Sequence, residues 1–473
     1  MFKKTRFNNF LGSVLIGSLA TISTPAMATN EAMLDLLKIL ADKGSITAEE
    51  YNLLKNAAKA DGEKVEGNIN EMKAEVASKT KDLPKITTKG KIKIESADGD
   101  WSFQPIGRIM WDTVLSDRDG ATSLAESNSE LRRARMGFQG SIKPINYKLE
   151  LDFATSGNAS WKDVWLSYNG KNSQGKWFAK LGQHHVPFGH ATISSSKYMP
   201  LMNRPLFADG PQHSRKVGLA VRQDNPRWFA HAGAFMPGLS TGSDETGEST
   251  SDRMTVAFRV GGTPLFKDKK HLVHAGFSYQ YEDIKGDAFN NIDNTLVSHV
   301  GDGDSLEFDL SEIGLEVDEV DAFDFELIGV WGPLHGVFEY VMWDAETLTG
   351  GSFDAQGYAF DAGWFITGES MKYKGGAFSG ISPKKSVRDG GWGAWQLAAR
   401  FENMDLNDGT YFGGEADVFT VGLNWHPTSN TRLMANYATT LDYECPTTGL
   451  GCKANGISGV EPSAFQMRAQ VYW

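Results

Sequence analysis

LRRARMGF, residues 131–138, is the densest run of guanidinium groups on any strand-like segment of the chain. Planar guanidinium forks suit bidentate recognition of phosphate or carboxylate oxygens, which makes Arg132, Arg133 and Arg135 candidates for an anion site. A second stretch, HVPFGHATISSSKYMPLMNR (185–204), sets Ser194, Ser195, Ser196 and Lys197 among Met and Phe residues. Folded into an enclosed space, it would offer hydroxyl and ammonium donors to an oxyanion; an ordinary surface loop is an equally good reading of the same residues. His184, His185 and His190 cluster loosely, an arrangement more often solvated than catalytic or metal-bound. Neither a Ser–His–Asp/Glu set nor metal-ligand spacing stands out, so the expectation is a non-enzyme without a cofactor.

The elements that must position these groups are strands. YKLELDFA alternates Tyr147, Leu149, Leu151 and Phe153 with Lys148, Glu150, Asp152 and Ala154. KVGLAVRQ, DRMTVAFRV and WQLAARFE repeat the period of two, and the chain closes on SAFQMRAQVYW, with Phe465, Met467, Ala469, Val471 and Trp473 on one face. These segments run about ten residues, enough to cross a bilayer at a tilt. Tight turns at KPIN, DNPR, PLHG and PTSN alternate with the long polar segments 114–130, 185–215, 237–251, 282–320 and 442–462. Short turns on one side and long loops on the other predict an all-β fold: a transmembrane antiparallel β-barrel of about 16 strands over residues 101–473. The final strand would close against the first, with Trp473 in the aromatic belt at the membrane boundary.

Upstream, Lys3, Lys4 and Arg6 precede the apolar LGSVLIGSLATI, and Ala26-Met27-Ala28 follows, the pattern of a signal peptide over residues 1–28. Its removal would take the formal charge from −12 to −15, a balance unsuited to nucleic acid. Residues 29–60 carry Met33, Leu36, Leu37 and Leu40 at helical spacing, and Thr47 stands three residues before Glu50. That predicts a short helical hairpin or coiled-coil segment on the periplasmic side, with 61–100 as a charged tether. Cys445 and Cys452 read either as a disulfide closing a short loop or as two free thiols.

Parity sends Arg108, Arg133, Arg135, Lys148, Lys180, Lys216, Arg222, Arg253, Arg259, Arg400, Arg432 and Arg468 into the barrel. Fewer acids follow them: Asp112, Glu150, Asp152, Asp163 and Glu402. Fixed positive charge lowers the barrier for an anion in a constriction; the alternative is that Arg–Asp pairs merely hold the wall together. Arg132 would face lipid at a cost of a few kcal/mol, so it must sit at the rim or on a bulge.

LRRARMGFQG, YKLELDFA, LGQHHVPFG with SSSKYM, GGWGAWQLAARF, VGLNWHP, RLMANY and FQMRAQVYW occur in the order seen in the phosphate-selective porins O and P, which residues 101–473 resemble. The resemblance implies a homotrimer of sixteen-stranded barrels in a Gram-negative outer membrane, each with an arginine-lined route to a central site for phosphate or other small anions. It puts Arg108, Arg132 and Arg133 at that site from the first two strands. Ser195, Ser196 and Lys197 would come from an inward-folded third loop, Asp163 from the wall, and Arg222 and Arg259 from the arginine ladder. Two features depart from the pattern. HAT (190–192) stands where the best phosphate channels carry a second lysine, and the acidic GDGDSLEFDLSEIGLEVDEVD (301–321) gives no basic mouth. A structural or adhesive barrel and a weakly selective general-diffusion porin are the alternatives.

Overall fold

The computed structural model describes residues 23–88, 90–117, 119, 127–154, 159–209, 215–236, 254–284, 291–294, 296–299, 306–309, 317–409, 411–444 and 459–473. The chain divides into a helical unit, Met1–Pro84 with Ser96–Asp98, and a barrel unit formed by the remainder.

In the helical unit, α1 (Ser23–Asp42) is followed by a turn through Gly44 and then by α2 (Ala48–Thr80). Thr47 caps α2 as anticipated. Its hydroxyl accepts from Glu50 N at 3.2 Å, and the Glu50 carboxylate accepts from Thr47 N at 2.8 Å. These bonds hold the Glu50 carboxyl below its usual value. The charged segment from 61 is not a tether along its first part, because α2 continues to Thr80. Its Ala, Glu and Lys residues are strong helix formers, and exposed pairs such as Lys79–Glu75, at 2.6 Å and four residues apart, add support that Gly62 and Gly67 do not offset. Beyond it lie two three-residue strands, Lys85–Thr87 and Lys93–Glu95.

The barrel unit contains sixteen long strands in closed antiparallel order. They are β1 (Trp101–Asp117), β2 (Asn128–Ile142), β3 (Ile145–Asp152), β4 (Ser160–Asn172), β5 (Gly175–His185), β6 (Arg215–Asp224), β7 (Trp228–Met236) and β8 (Thr255–Asp268), then β9 (His271–Asp283), β10 (Val317–Trp331), β11 (Leu334–Thr347), β12 (Ser352–Phe365), β13 (Ala394–Asp408), β14 (Tyr411–His426), β15 (Thr431–Glu444) and β16 (Ser463–Tyr472). Each pairs with its successor, and β16 pairs with β1 from Ser463↔Asp117 to Tyr472↔Arg108, so no backbone edge is left for the hydrocarbon to meet. The period of two explains the faces. In β16, Phe465, Met467 and Val471 are exposed on the outer surface, while Gln466, Arg468 and Gln470 are buried on the inner one.

Connections on one side are short, as at 173–174 and 332–333, with one exception. Residues 366–393, between β12 and β13, are long and fold inward from the short-turn side. Their small strand pair, Lys372–Tyr373 with Phe378–Ser379, presents Gly376 O to Arg259 at 2.7 Å and lays Phe378 against His335.

The seam closes on the terminal residue. Trp473 exchanges backbone hydrogen bonds with Gly107, N to O at 3.1 and 3.3 Å, and its indole lies over that glycine. A Cβ at Gly107 would meet the ring at 2.2 Å. Gly107→Val should therefore destabilise the closed barrel by about 1–3 kcal/mol through overpacking. The temperature at which the unheated folded band converts to the unfolded one on a gel should fall, and an unchanged temperature would show that this contact is dispensable.

Candidate functional site

The connection between β5 and β6 folds into the barrel. Val186, Phe188, Leu201 and Phe207 on it are fully buried, and Leu206 and Phe207 pack with Val341, Trp343, Phe353, Met404 and Val418 on the inner wall. Its polar backbone is capped by wall side chains. Arg432 donates to Met199 O at 2.6 Å and Ser196 O at 3.2 Å, Arg468 to Met202 O at 3.1 Å, and Arg400 to Asn203 O at 3.1 Å. Asn424 donates to Pro200 O at 2.6 Å, and the Glu402 carboxylate accepts from Leu206 N at 2.8 Å. This strap is tied to the wall along much of its length, because its buried peptide groups find their partners there.

Between this strap and strands β1–β6 lies a cavity of about 390 Å³. Arg108 reaches it from β1, Arg133 and Arg135 from β2, Lys148 from β3, and Lys162 and Asp163 from β4. Arg215 enters from β6, and the strap supplies Ser195, Ser196, Lys197 and Arg204. Carboxylates tie down part of this charge. Arg135 meets Asp152 at 2.7 Å, with Arg133 at 3.9 Å from the same group, and Arg108 and Lys148 meet Glu150 at 3.1 and 2.8 Å. Asp163 takes Lys148 at 2.5 Å and Arg215 at 3.1 Å. Arg204 apart, seven cations thus line the cavity beside three carboxylates, and among the described residues Lys162 and Lys197 form no ion pair. Arg108 also donates to Ser196 Oγ at 3.1 Å, while Lys197 lies over the rings of Tyr198 and Tyr472 at 5.4 and 5.3 Å. Hydroxyls, ammonium groups and guanidinium forks converge on one polar space, which is the chemistry of oxyanion coordination.

Arg132 is the extra residue of a β-bulge. Met110 pairs with Arg133 and Trp111 with Leu131, so Arg132 has no partner across the ladder and is turned away from lipid. It lines a smaller adjoining cavity of about 60 Å³ with Arg133, Ser196, Arg204, His299 and Arg468. Arg222 and Arg259 also point inward but into neither cavity. Arg259 is fully buried, bound to Glu326 at 2.6 Å and to Gly376 O. Arg222 binds Asp224 at 2.9 Å and Gly375 O at 2.9 Å. Both brace the inward-folded 366–393 segment, because each has an acid of its own within reach. Cys445, Cys452 and Arg253 lie outside the described residues.

Strand parity alone misses Lys162. Leu151 pairs with Trp161 and Leu149 with Val164, so Lys162 and Asp163 together oppose Glu150. That bulge brings both side chains to the cavity. Arg204 and Arg215 come from the strap and a strand end, where a period of two carries no information.

The closed sixteen-stranded barrel with an inward third loop is the architecture of an outer-membrane porin. The model of the family "Phosphate-selective porin O and P" matches residues 103–473, and the chain belongs to that family. An uncharacterized protein of Caulobacter vibrioides is 29% identical over 383 residues, 76% of this chain and 72% of its own. Among solved structures, the outer-membrane protein OmpT of Vibrio cholerae in its trimer form is similar at a TM-score of 0.50 and 14% identity, covering 79% of this chain and 99% of that one. A loop L8 deletion mutant of OmpT matches at a TM-score of 0.50 and 12% identity, over 79% and 100% of the two chains.

The strap's anchoring yields a prediction. Arg432→Met removes a buried cation that caps two strap carbonyls, so stability should fall by about 2–3 kcal/mol and single-channel current should become noisier. Arg132→Met, on a half-exposed bulge, should change neither. Equal noise in the two variants would mean that the wall cations do not hold the strap.

Proposed function

We propose that the protein is a passive, anion-preferring channel of the outer membrane that carries phosphate or related oxyanions through the cavity between the strap and β1–β6. The observation that carries this reading is the excess of cations in the cavity beside the strap, where seven besides Arg204 stand with three carboxylates. Arg108, Arg133, Arg135 and Lys148 strip water from the anion, and Ser195, Ser196 and Lys197 replace it from the opposite side. Asp163 holds Lys148 and Arg215 in position, and Arg132 extends the basic surface on the bulge side. Cations concentrated in a low-dielectric constriction raise local anion occupancy and repel cations.

The arginines that bind strap carbonyls or their own acids favour a weakly selective pore, since they add no accessible charge. Reversal potentials in a salt gradient distinguish the two. The double change Arg132→Ala and Arg133→Ala should weaken anion binding by about 1–3 kcal/mol, lower anion-over-cation permeability and relieve phosphate block of chloride current. Lys197→Ala should act in the same direction but less, because an ammonium offers a point charge without a fork. A wild type that prefers cations, or a double variant with unaltered anion preference, makes these arginines wall braces.

We further propose that residues 1–28 are removed on export, that α1 and α2 lie in the periplasm, and that three chains associate. Leu36, Ile39, Leu53, Leu54, Val65 and Met72 are exposed on helices too marginal to rely on propensity alone, which supports self-association of this unit. Deleting residues 29–80 should lower the heat resistance of the oligomer and leave single-channel conductance intact. Loss of current on deletion would make the helices part of the pore.

A further inference from the structure

On the far side of the strap from the cationic cavity, Asp324, Glu326 and Glu339 converge on the inner wall, each offering a carboxylate oxygen within 4.8 Å of the others. All three are buried to 2% exposure or less. Glu326 on β10 stands directly across the ladder from Glu339 on β11, and Asp324 is the next inward residue along β10. Like charges directly opposed in a sheet repel, so this register needs a counter-charge. Among the described residues the one guanidinium or ammonium group paired with the cluster is Arg259, 2.6 Å from Glu326, which also meets the His274 ring at 2.7 Å. Glu339 accepts Ala191 N on both oxygens, at 3.0 and 2.9 Å. Asp324 is different: it is fully buried, and among the described residues no N–H or O–H group donates to it, its neighbour within hydrogen-bonding reach being the Glu339 carboxyl. A buried carboxylate without a donor requires a cation or a proton.

We propose that Asp324, Glu326 and Glu339 bind one divalent cation of the hard, oxygen-preferring kind, Ca²⁺ above all, and that it pins the strap to the wall. Three carboxylates against the Arg259 guanidinium leave two negative charges, which one such ion neutralises. The donor set is all oxygen, which suits a hard cation, and the ligand atoms lie within 4.8 Å of one another. The strap is in direct register with the site. Gly189, at φ 57°, donates from its N to Ser278 Oγ at 3.0 Å, and a Cβ there would meet Glu339 Oε1 at 2.8 Å and Asp324 Oδ2 at 3.2 Å. Only a glycine lets the backbone lie on these carboxylates. An ion held beneath Gly189 and Ala191 therefore fixes the end of the strap opposite Lys197. The inference is independent of which solute the pore passes.

The test is calorimetric titration of Ca²⁺ alone into the full-length, chelator-stripped protein in detergent. Wild type should show one site per chain that Asp324→Asn weakens at least tenfold, and chelator should increase open-channel noise in wild type only. Glu339→Gln, nearly isosteric, should weaken the site similarly and serves where Asp324→Asn does not fold. Asp344→Asn, an exposed acid on the outer surface, should leave the isotherm unchanged and accounts for ions taken up by exposed carboxylates. Identical isotherms for wild type, Asp324→Asn and Glu339→Gln overturn the proposal. So does a protonated-carboxyl infrared band in Ca²⁺-saturated wild type that Asp324→Asn removes, which would mean that protons neutralise the cluster.

Discussion

A length of irregular backbone that lies across a membrane pore must have its peptide groups satisfied without a ladder of its own. Here the wall answers with side chains. Arg400, Arg432, Arg468 and Asn424 donate to successive carbonyls of the strap, and Glu402 and Glu339 accept its N–H groups. Bonds from charged groups are about twice as strong as neutral ones and far costlier to leave unmade in a buried place. The constriction, the cavity beside it and the position of Ser195, Ser196 and Lys197 all follow from that satisfaction.

This requirement divides the inner cations into two populations. One is fully buried and committed, as with Arg468, which binds Asp112 at 2.5 Å and a strap carbonyl together. The other faces open space on β1–β6, where Arg133, Lys162 and Lys197 are weakly paired or unpaired. The strap also separates charge, with cations gathered between it and β1–β6 and the buried acids Asp324, Glu326 and Glu339 behind it on β10 and β11. A census of inward-pointing cations therefore overstates the charge available to a permeating ion, and the accessible subset decides it.

How much of this was legible in the sequence follows from what alternation encodes. A period of two states which way a side chain points, and it placed the faces of β3, β6, β8, β13 and β16 and sent Arg108, Arg133 and Arg135 inward. It also required Arg132 to leave the lipid face, which the bulge opposite Met110 and Trp111 accomplishes. Alternation says nothing of partners. Arg468 and Asp112 are 356 residues apart, and Arg259 meets Glu326 across two strands, so the sequence raised wall-bracing pairs as a reading but did not say which cations they hold. The bulge at Lys162 and Asp163 breaks the period where it matters. The inward course of 366–393 lacks any period, and α2 runs past residue 60 because helix formers outweigh two glycines.

The most direct test of the account is where an oxyanion sits. Anomalous diffraction from crystals of the full-length protein soaked in arsenate, a scattering mimic of phosphate, locates it without recourse to mutants. A peak is expected in the cavity between β1–β6 and the strap, within hydrogen-bonding reach of Arg133 and Lys197. Arsenate found only on exposed loops, with that cavity empty at saturating concentration, would contradict it.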